Sequence, residues 1–245
     1  MTRAHSLRWA LAAVALLAAA TPGQARHRAA KAQAGSFDYF LLSLSIAPSF
    51  CALLPANQAK QECQDLTEPA FEQTPLTVHG LWPNLVGVSV NRQPHDCGGP
   101  PLGTLPDALQ ADLQRYMPGG PGLEGHEWQK HGTCSGLSPE AYFTTVVNLA
   151  RRANETIGAV MQDRGMLGQR LQISDLLSAV AAKDPALAQA IVVDCAFPRG
   201  GGAALVAEIR VVLSKDLQPE PAASVRMGQN SGCPAGAGMV PKVTP

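Results

Sequence analysis

Ile191-Val192-Val193-Asp194-Cys195, then Ala196 to Ala203, then Ala204-Leu205-Val206-Ala207-Glu208-Ile209-Arg210-Val211-Val212-Leu213: this stretch decides the fold class. Its first five residues are compact and β-branched. Its last ten alternate Glu208 and Arg210 with Ala207, Ile209 and Val211, the two-residue period of a strand. Pro198 and Gly200-Gly201-Gly202 lie between them, so an antiparallel hairpin with a flexible loop is the simplest connection. Elsewhere helices and strands interleave irregularly, without repeated βαβ units. The expected class is therefore α+β, a single domain with a central, mostly antiparallel sheet flanked by helices and long loops.

Working outward, Phe37 to Ile46 is a run of aromatic and aliphatic residues that reads as the first strand, closed by Ala47-Pro48. Leu76-Thr77-Val78-His79-Gly80-Leu81-Trp82-Pro83-Asn84 begins as a short strand and is expected to break at Pro83. Between them, Cys51 to Cys63 suits a surface excursion pinned by a local disulfide. Pro106 to Tyr116 predicts an amphipathic helix, with Leu105, Leu109 and Leu113 repeating every four residues. Pro118-Gly119-Gly120-Pro121-Gly122 reads as a stop. Ser138-Pro139-Glu140 opens a helix that buries Tyr142, Phe143, Val146, Val147 and Leu149. Ser174 to Ala182 predicts another, and Asp184-Pro185 opens one more turn. Residues 85–103 are loop-like, and His95 within them is given no chemical role. Asn154-Glu155-Thr156 has the N-glycosylation pattern.

Composition sets the outer bounds. The chain has 245 residues, 46% of them apolar, enough for one substantial core. Arg3 and Arg8, the apolar run from Trp9 to Ala20 and the small-residue end Gly23-Gln24-Ala25 read as a secretory signal over residues 1–25, too short to span a bilayer. A leader over 26–36, a domain over 37–234 and a loosely docked tail over 235–245 follow. Cleavage after Ala25 takes the formal net charge from 0 to about −2, which is not the footprint of a non-specific nucleic-acid coat. The six cysteines are an even number in a chain that reads as exported, so disulfides are the default, and sequence order leaves their pairing open. None forms a C-x-x-C, which argues against structural zinc and thioredoxin-like redox roles.

Chemistry concentrates in His126-Glu127-Trp128-Gln129-Lys130-His131-Gly132-Thr133-Cys134. On a helix, His126, Lys130, Glu127 and His131 span an arc of about 140° and share one face. A zinc site of the H-E-x-x-H type needs histidines four apart, whereas His126 and His131 are five apart, so their rings diverge. No serine stands in a G-x-S-x-G elbow, and all six cysteines have a structural use. Acid–base cleavage of RNA remains: a base takes the 2′-hydroxyl proton, an acid protonates the departing 5′-oxygen, and positive charge meets the phosphorane-like transition state. Two histidines can perform both transfers. A lone histidine among apolar neighbours is ordinarily a hydrogen-bonded core residue, so His79 gains meaning only beside such a partner.

Thr77 to Pro83 and His126 to Cys134 together resemble the two active-site segments of the T2-type ribonucleases, secreted, metal-independent endoribonucleases of α+β fold. Phe37 to Ser45 and Pro48-Ser49-Phe50-Cys51 resemble that family's first strand. The resemblance implies His79 as the acid, His131 as the base, Lys130 and Glu127 as transition-state stabilisers, His126 as a phosphate contact, and Trp82 and Asn84 in the upstream base pocket. It also implies the disulfides Cys97–Cys134 and Cys195–Cys233, leaving Cys51–Cys63. The implied reaction is cleavage of single-stranded RNA, not DNA, through a 2′,3′-cyclic phosphate to 3′-phosphate ends, with little base specificity. No metal and no cofactor take part. The protein is expected to be a monomer, periplasmic or extracellular and free of the membrane. Two departures stand out: Ile46 replaces a usual tryptophan, and residues 84–97 contain no aromatic to sandwich a base against Trp82. The alternative is a secreted binding or signalling protein on the same scaffold with incidental nuclease activity.

Overall fold

The computed structural model describes residues 33–55 and 60–243; the expected signal sequence and the leader as far as residue 32 lie outside them. Its strands are β1 (Tyr39–Ile46), β2 (Leu76–Asn84), β3 (Arg170–Gln172), β4 (Ile191–Ala196), β5 (Leu205–Leu213), β6 (Asn230–Ser231) and β7 (Ala237–Met239). They form one sheet in the order β2-β1-β5-β4-β6, with β7 joining β5 to β3. The four long strands pair antiparallel, while β6 and β7 join β4 and β5 in parallel. The hairpin read from residues 191–213 is the β4–β5 pair. The helices are α1 (Ala47–Leu53), α2 (Gln61–Gln64), α3 (Glu68–Gln73), α4 (Asp107–Tyr116), α5 (Gly120–Lys130), α6 (Pro139–Ala153), α7 (Ala159–Asp163), α8 (Ile173–Ala181) and α9 (Pro185–Ala190).

Period-two alternation assigns each strand residue to a face. Phe40, Leu42, Leu44 and Ile46 of β1, with Ile209, Val211 and Leu213 of β5 and Ile191 and Val193 of β4, meet Tyr142, Phe143 and Val146 of α6 in the main core. Ile46 is fully buried there, so its replacement of a tryptophan bears on packing. The other face is divided. Tyr39, Leu41, Val192 and Val212 form a second apolar cluster with Ala222 and Val225. Further along the same face stand Ser43, Ser45, Asp194, Glu208 and Arg210, with Ser43 opposite Arg210 and both Ser45 and Asp194 opposite Glu208. That polar half positions the site.

Proline explains several departures from the sequence reading. β2 does not break at Pro83, which pairs with Phe40; β2 is an edge strand, where a missing N–H costs the ladder nothing on its open side. Ala47-Pro48 opens α1, and Pro121 sits in the first turn of α5, because proline is preorganised for a helix start. The run 118–122 therefore separates two helices rather than simply ending one. The Cys51–Cys63 disulfide joins α1 to α2. The tail is not loosely docked: Ala237 to Met239 pairs with β3 and β5, and Ala237 and Val240 are buried.

Asn154 follows α6 in a π-helical turn, Asn154–Gly158. Its Nδ2 donates to the Leu76 carbonyl at 2.8 Å and its Oδ1 accepts from the Leu76 N–H at 3.1 Å, so the amide of the glycosylation pattern is committed to starting β2. Asn154→Ala strands both groups and should cost about 2–4 kcal/mol of stability. Urea unfolding checks this; a loss below about 0.5 kcal/mol would show that water replaces the amide.

Candidate active site

β2 brings His79 and Trp82 to the site through a bulge. Ser43 pairs with Gly80 and Leu44 with Val78, leaving His79 as the extra residue. In an unbroken strand Val78 and Trp82 would share a face; the extra residue puts Val78 in the main core and Trp82 against the second cluster. The His79 side chain remains 45% exposed, so a substrate can reach it.

α5 supplies the opposing side and ends at Lys130, with His131 as its C-cap at φ −118°, ψ −47°. The arc expected to share one face instead runs from surface to core: His126 is exposed, Glu127 and Trp128 are buried, and Lys130 and His131 are half-buried. Trp128 Nε1 donates to the Pro100 carbonyl at 2.9 Å, and the Asp96 N–H donates to the Lys130 carbonyl at 2.9 Å. The Cys97–Cys134 disulfide fastens the same loop just beyond the helix, with Cα atoms 5.0 Å apart. The remaining pair, Cys195–Cys233, ties β4 to the chain after β6.

Trp82 is the hinge of the constellation. Its indole N–H donates to Glu127 Oε2 at 2.8 Å. Its ring centre lies 5.1 Å from that of His79, edge-on at 82°, and 5.4 Å from that of His131. Four candidate residues, His79, Trp82, Glu127 and His131, are thus brought together directly. Lys130 acts electrostatically on Glu127 and His131, and His126 acts on His131. Asn84 is buried, with its amide donating to the Tyr39 hydroxyl at 3.4 Å.

Environment pushes the two imidazoles in opposite directions. Burial, followed by the charges of Lys130, His126 and His79, lowers the His131 pKa to about 3. Its Nδ1 is buried without a partner, so Nε2 is the nitrogen left for chemistry. A hydrogen bond to Glu208 raises the His79 pKa above 6.5; burial and Arg210 oppose this, while the charges of Glu208 and Glu127 add to it. Burial raises the Glu127 pKa against the Trp82 hydrogen bond and the charges of His79 and Lys130. One imidazole poised neutral and another poised protonated, flanking one indole, can take a proton at one end and give one at the other.

The sequence reading missed Glu208. His79 Nδ1 meets Glu208 Oε1 at 2.6 Å, across a separation of 129 residues. Burial pushes the Glu208 carboxyl up, but His79 and Arg210 outweigh it and hold the pKa at about 2. The available signal was a Glu-x-Arg alternation inside a strand otherwise rich in buried apolar residues, which must face something polar. Beside His79 and Glu208 lies a groove of about 1140 Å³, lined by Ser45, Thr77 and Arg210, by Lys60, Glu62 and Asp65 around α2, and by Pro118 to Gly120 and Leu123.

A family description, the ribonuclease T2 family, matches residues 37–221. Ribonuclease I of Escherichia coli is 34% identical over 152 residues, covering 51% of this chain and 57% of that protein. Ribonuclease MC of Momordica charantia is 30% identical over 169 residues, covering 62% of this chain and 78% of that one. The alignments span about half the length of the first curated relatives matched. Among solved structures, a variant of ribonuclease MC1 in complex with 5′-UMP shares the fold, with a TM-score of 0.61 at 19% identity over 83% of this chain and 98% of that one.

Proposed function

The chain belongs to the ribonuclease T2 family, and from that premise we propose that it is an endoribonuclease cleaving single-stranded RNA by acid–base transphosphorylation. The observation that carries this reading is the opposite tuning of His79 and His131 on the two sides of Trp82. His131, neutral above about pH 3, takes the proton of the 2′-hydroxyl, and the oxygen attacks the adjacent phosphorus. His79, protonated, gives its proton to the departing 5′-oxygen, and a 2′,3′-cyclic phosphate forms. The two residues then exchange roles as water opens the ring to a 3′-phosphate. Lys130 places positive charge beside the phosphorane-like transition state. Glu127 holds the indole and, when protonated, donates to a phosphate oxygen. His126, exposed on α5, meets phosphate, and Trp82 and Asn84 border the upstream base. DNA lacks the attacking hydroxyl and is not cut.

The reading extends to where the protein works. Three disulfides need an oxidising compartment, and no helix among the described residues is long and apolar enough to cross a membrane. Residues 1–25 serve as the export signal, and the mature domain acts outside the cytoplasm as a monomer. The residues assigned to each chemical role are side chains of one chain, and the scheme uses no metal or cofactor.

The test incubates the purified protein with RNA and with DNA in EDTA, and looks for 2′,3′-cyclic phosphate ends. Intact RNA, or cleavage that EDTA abolishes, would overturn the mechanism. The pH profile adds a sign. kcat/KM should rise as His131 loses its proton near pH 3 and fall only above pH 6.5, as His79 loses its own. Burial raises the Glu127 pKa, so its titration also contributes to the profile. A flat profile, or an alkaline limb centred below 6.5, would count against the pairing.

A further inference from the structure

A general acid must carry its proton at working pH and present it in one direction, and a free imidazole does neither reliably. We propose that Glu208 is the positioning residue of His79: a carboxylate, locked by Arg210 and Ser43, that fixes the ring and keeps its proton-delivering nitrogen turned toward the leaving group. The proposal rests on the endoribonuclease reading and deepens it, because Glu208 acts through His79.

The geometry leaves the ring little choice. An ionised carboxylate only accepts hydrogen bonds, so Glu208 Oε1, 2.6 Å from His79 Nδ1, requires a hydrogen on Nδ1 whether the ring is neutral or charged. Nε2 is then the nitrogen that titrates. Glu208 is itself immobilised. Its Oε2 accepts from Ser43 Oγ at 2.9 Å and from Arg210 Nε and Nη2 at 2.9 and 2.7 Å. Arg210 Nη2 also meets Asp194 Oδ2 at 2.8 Å. The three charged groups behind His79 sum to one negative charge, which an imidazolium neutralises.

Local strand geometry builds this chain of contacts. The bulge on β2 falls at His79. A second bulge falls on β5 at Ala207, where Asp194 pairs with Glu208 but Cys195 pairs with Val206. One extra residue is His79 itself and the other adjoins Glu208, as expected where a bulge re-aims a side chain. Side-chain exposure falls from 45% at His79 to 15% at Glu208. The imidazole is therefore the outer, substrate-facing end of a relay anchored in the sheet. A plain ion-pair network would need no such order.

Leaving-group dependence separates positioning from mere structural support. Two substrates are compared, uridylyl-3′,5′-adenosine, whose ribose alkoxide needs an acid to depart, and uridine 3′-(4-nitrophenyl phosphate), whose phenolate departs without one. His79→Ala should slow the dinucleotide by about 10²–10⁴-fold and the nitrophenyl ester far less. Glu208→Ala should show the same contrast on a smaller scale, slowing the dinucleotide about 10–100-fold and the ester by no more than about 3-fold. The ratio of the two rates is independent of the fraction of enzyme that folds. Glu208→Gln keeps an acceptor for Nδ1–H but loses the charge, so it should retain more of the dinucleotide rate while the alkaline limb of kcat/KM still moves to lower pH. The other groups that act on His79 or face it, Arg210 on β5, Glu127 and His131 at the end of α5, and Glu62 on α2, are unchanged in these variants. Equal slowing of both substrates with an unmoved alkaline limb would overturn the role of Glu208 and leave the endoribonuclease reading intact. A wild-type protein that cleaves neither substrate, or a His79→Ala variant without the contrast, would remove the reading and the proposal together.

Discussion

His131→Ala is expected to lower kcat/KM on RNA by about 10²–10⁴-fold, the range for losing a positioned general base, while changing stability by less than about 1 kcal/mol. The two halves of that expectation have one cause. Burial and the charges of Lys130, His126 and His79 keep the ring neutral, which suits a base. Yet its Nδ1 is buried with no partner, a desolvation cost of about 1–3 kcal/mol that the variant relieves. Relief offsets the lost contact with the Trp82 ring, 5.4 Å away between centres. Initial rates on RNA and urea unfolding of the same preparation measure both. Unchanged activity would sink the assignment of His131. Activity lost together with several kcal/mol of stability would make His131 a packing residue.

Gly80→Ala is expected to reduce activity about as severely by a different route. A Cβ at Gly80 would fall inside the contact shells of Glu127 Oε2 and Trp82 Nε1, the two atoms whose hydrogen bond joins β2 to α5. Neither partner is the free end of an exposed side chain: Glu127 is buried and Trp82 is wedged between two imidazoles. The methyl group must separate them. Overpacking costs about 1–3 kcal/mol, and an unpaired buried carboxyl adds a comparable amount. Displacing the indole by about 1 Å moves both histidines from working geometry, a loss of about 10²-fold. Because acid and base are both displaced, the two leaving groups described above should slow together, unlike the Glu208 variants. Wild-type rates from a stable Gly80→Ala protein would show that Trp82 and Glu127 do not set the geometry.

Much of this was legible in residue order. An apolar run located the first strand, β-branching and a two-residue alternation the β4–β5 hairpin, and a serine cap with proline the start of α6, because burial and helix ends impose these local patterns on the chain. Ser138 caps α6 through the Ala141 N–H at 3.2 Å, as its type and place foretold. The dense group from His126 to Cys134 marked one side of the site. Proline was read only in part. β1 and α4 do end before Ala47-Pro48 and the 118–122 run, but Pro48 and Pro121 also open the next helices, and Pro83, expected to break β2, lies within that edge strand; residue identity does not distinguish these environments.

By itself the sequence determined an α+β chain, its main strands and helices, and the two segments that carry histidines, because each follows from local pattern or from neighbouring residue types. Tertiary structure alone decided that Val78 and Trp82 face opposite ways, that His126 is exposed while Glu127 is buried, and that Glu208 meets His79. A bulge of one residue inverts every side chain beyond it, and no period announces it in advance. Opposite pKa shifts on two chemically identical rings arise because a Glu208 hydrogen bond from another strand raises His79, while burial and neighbouring positive charges lower His131. Such fields exist only once the strands are in register.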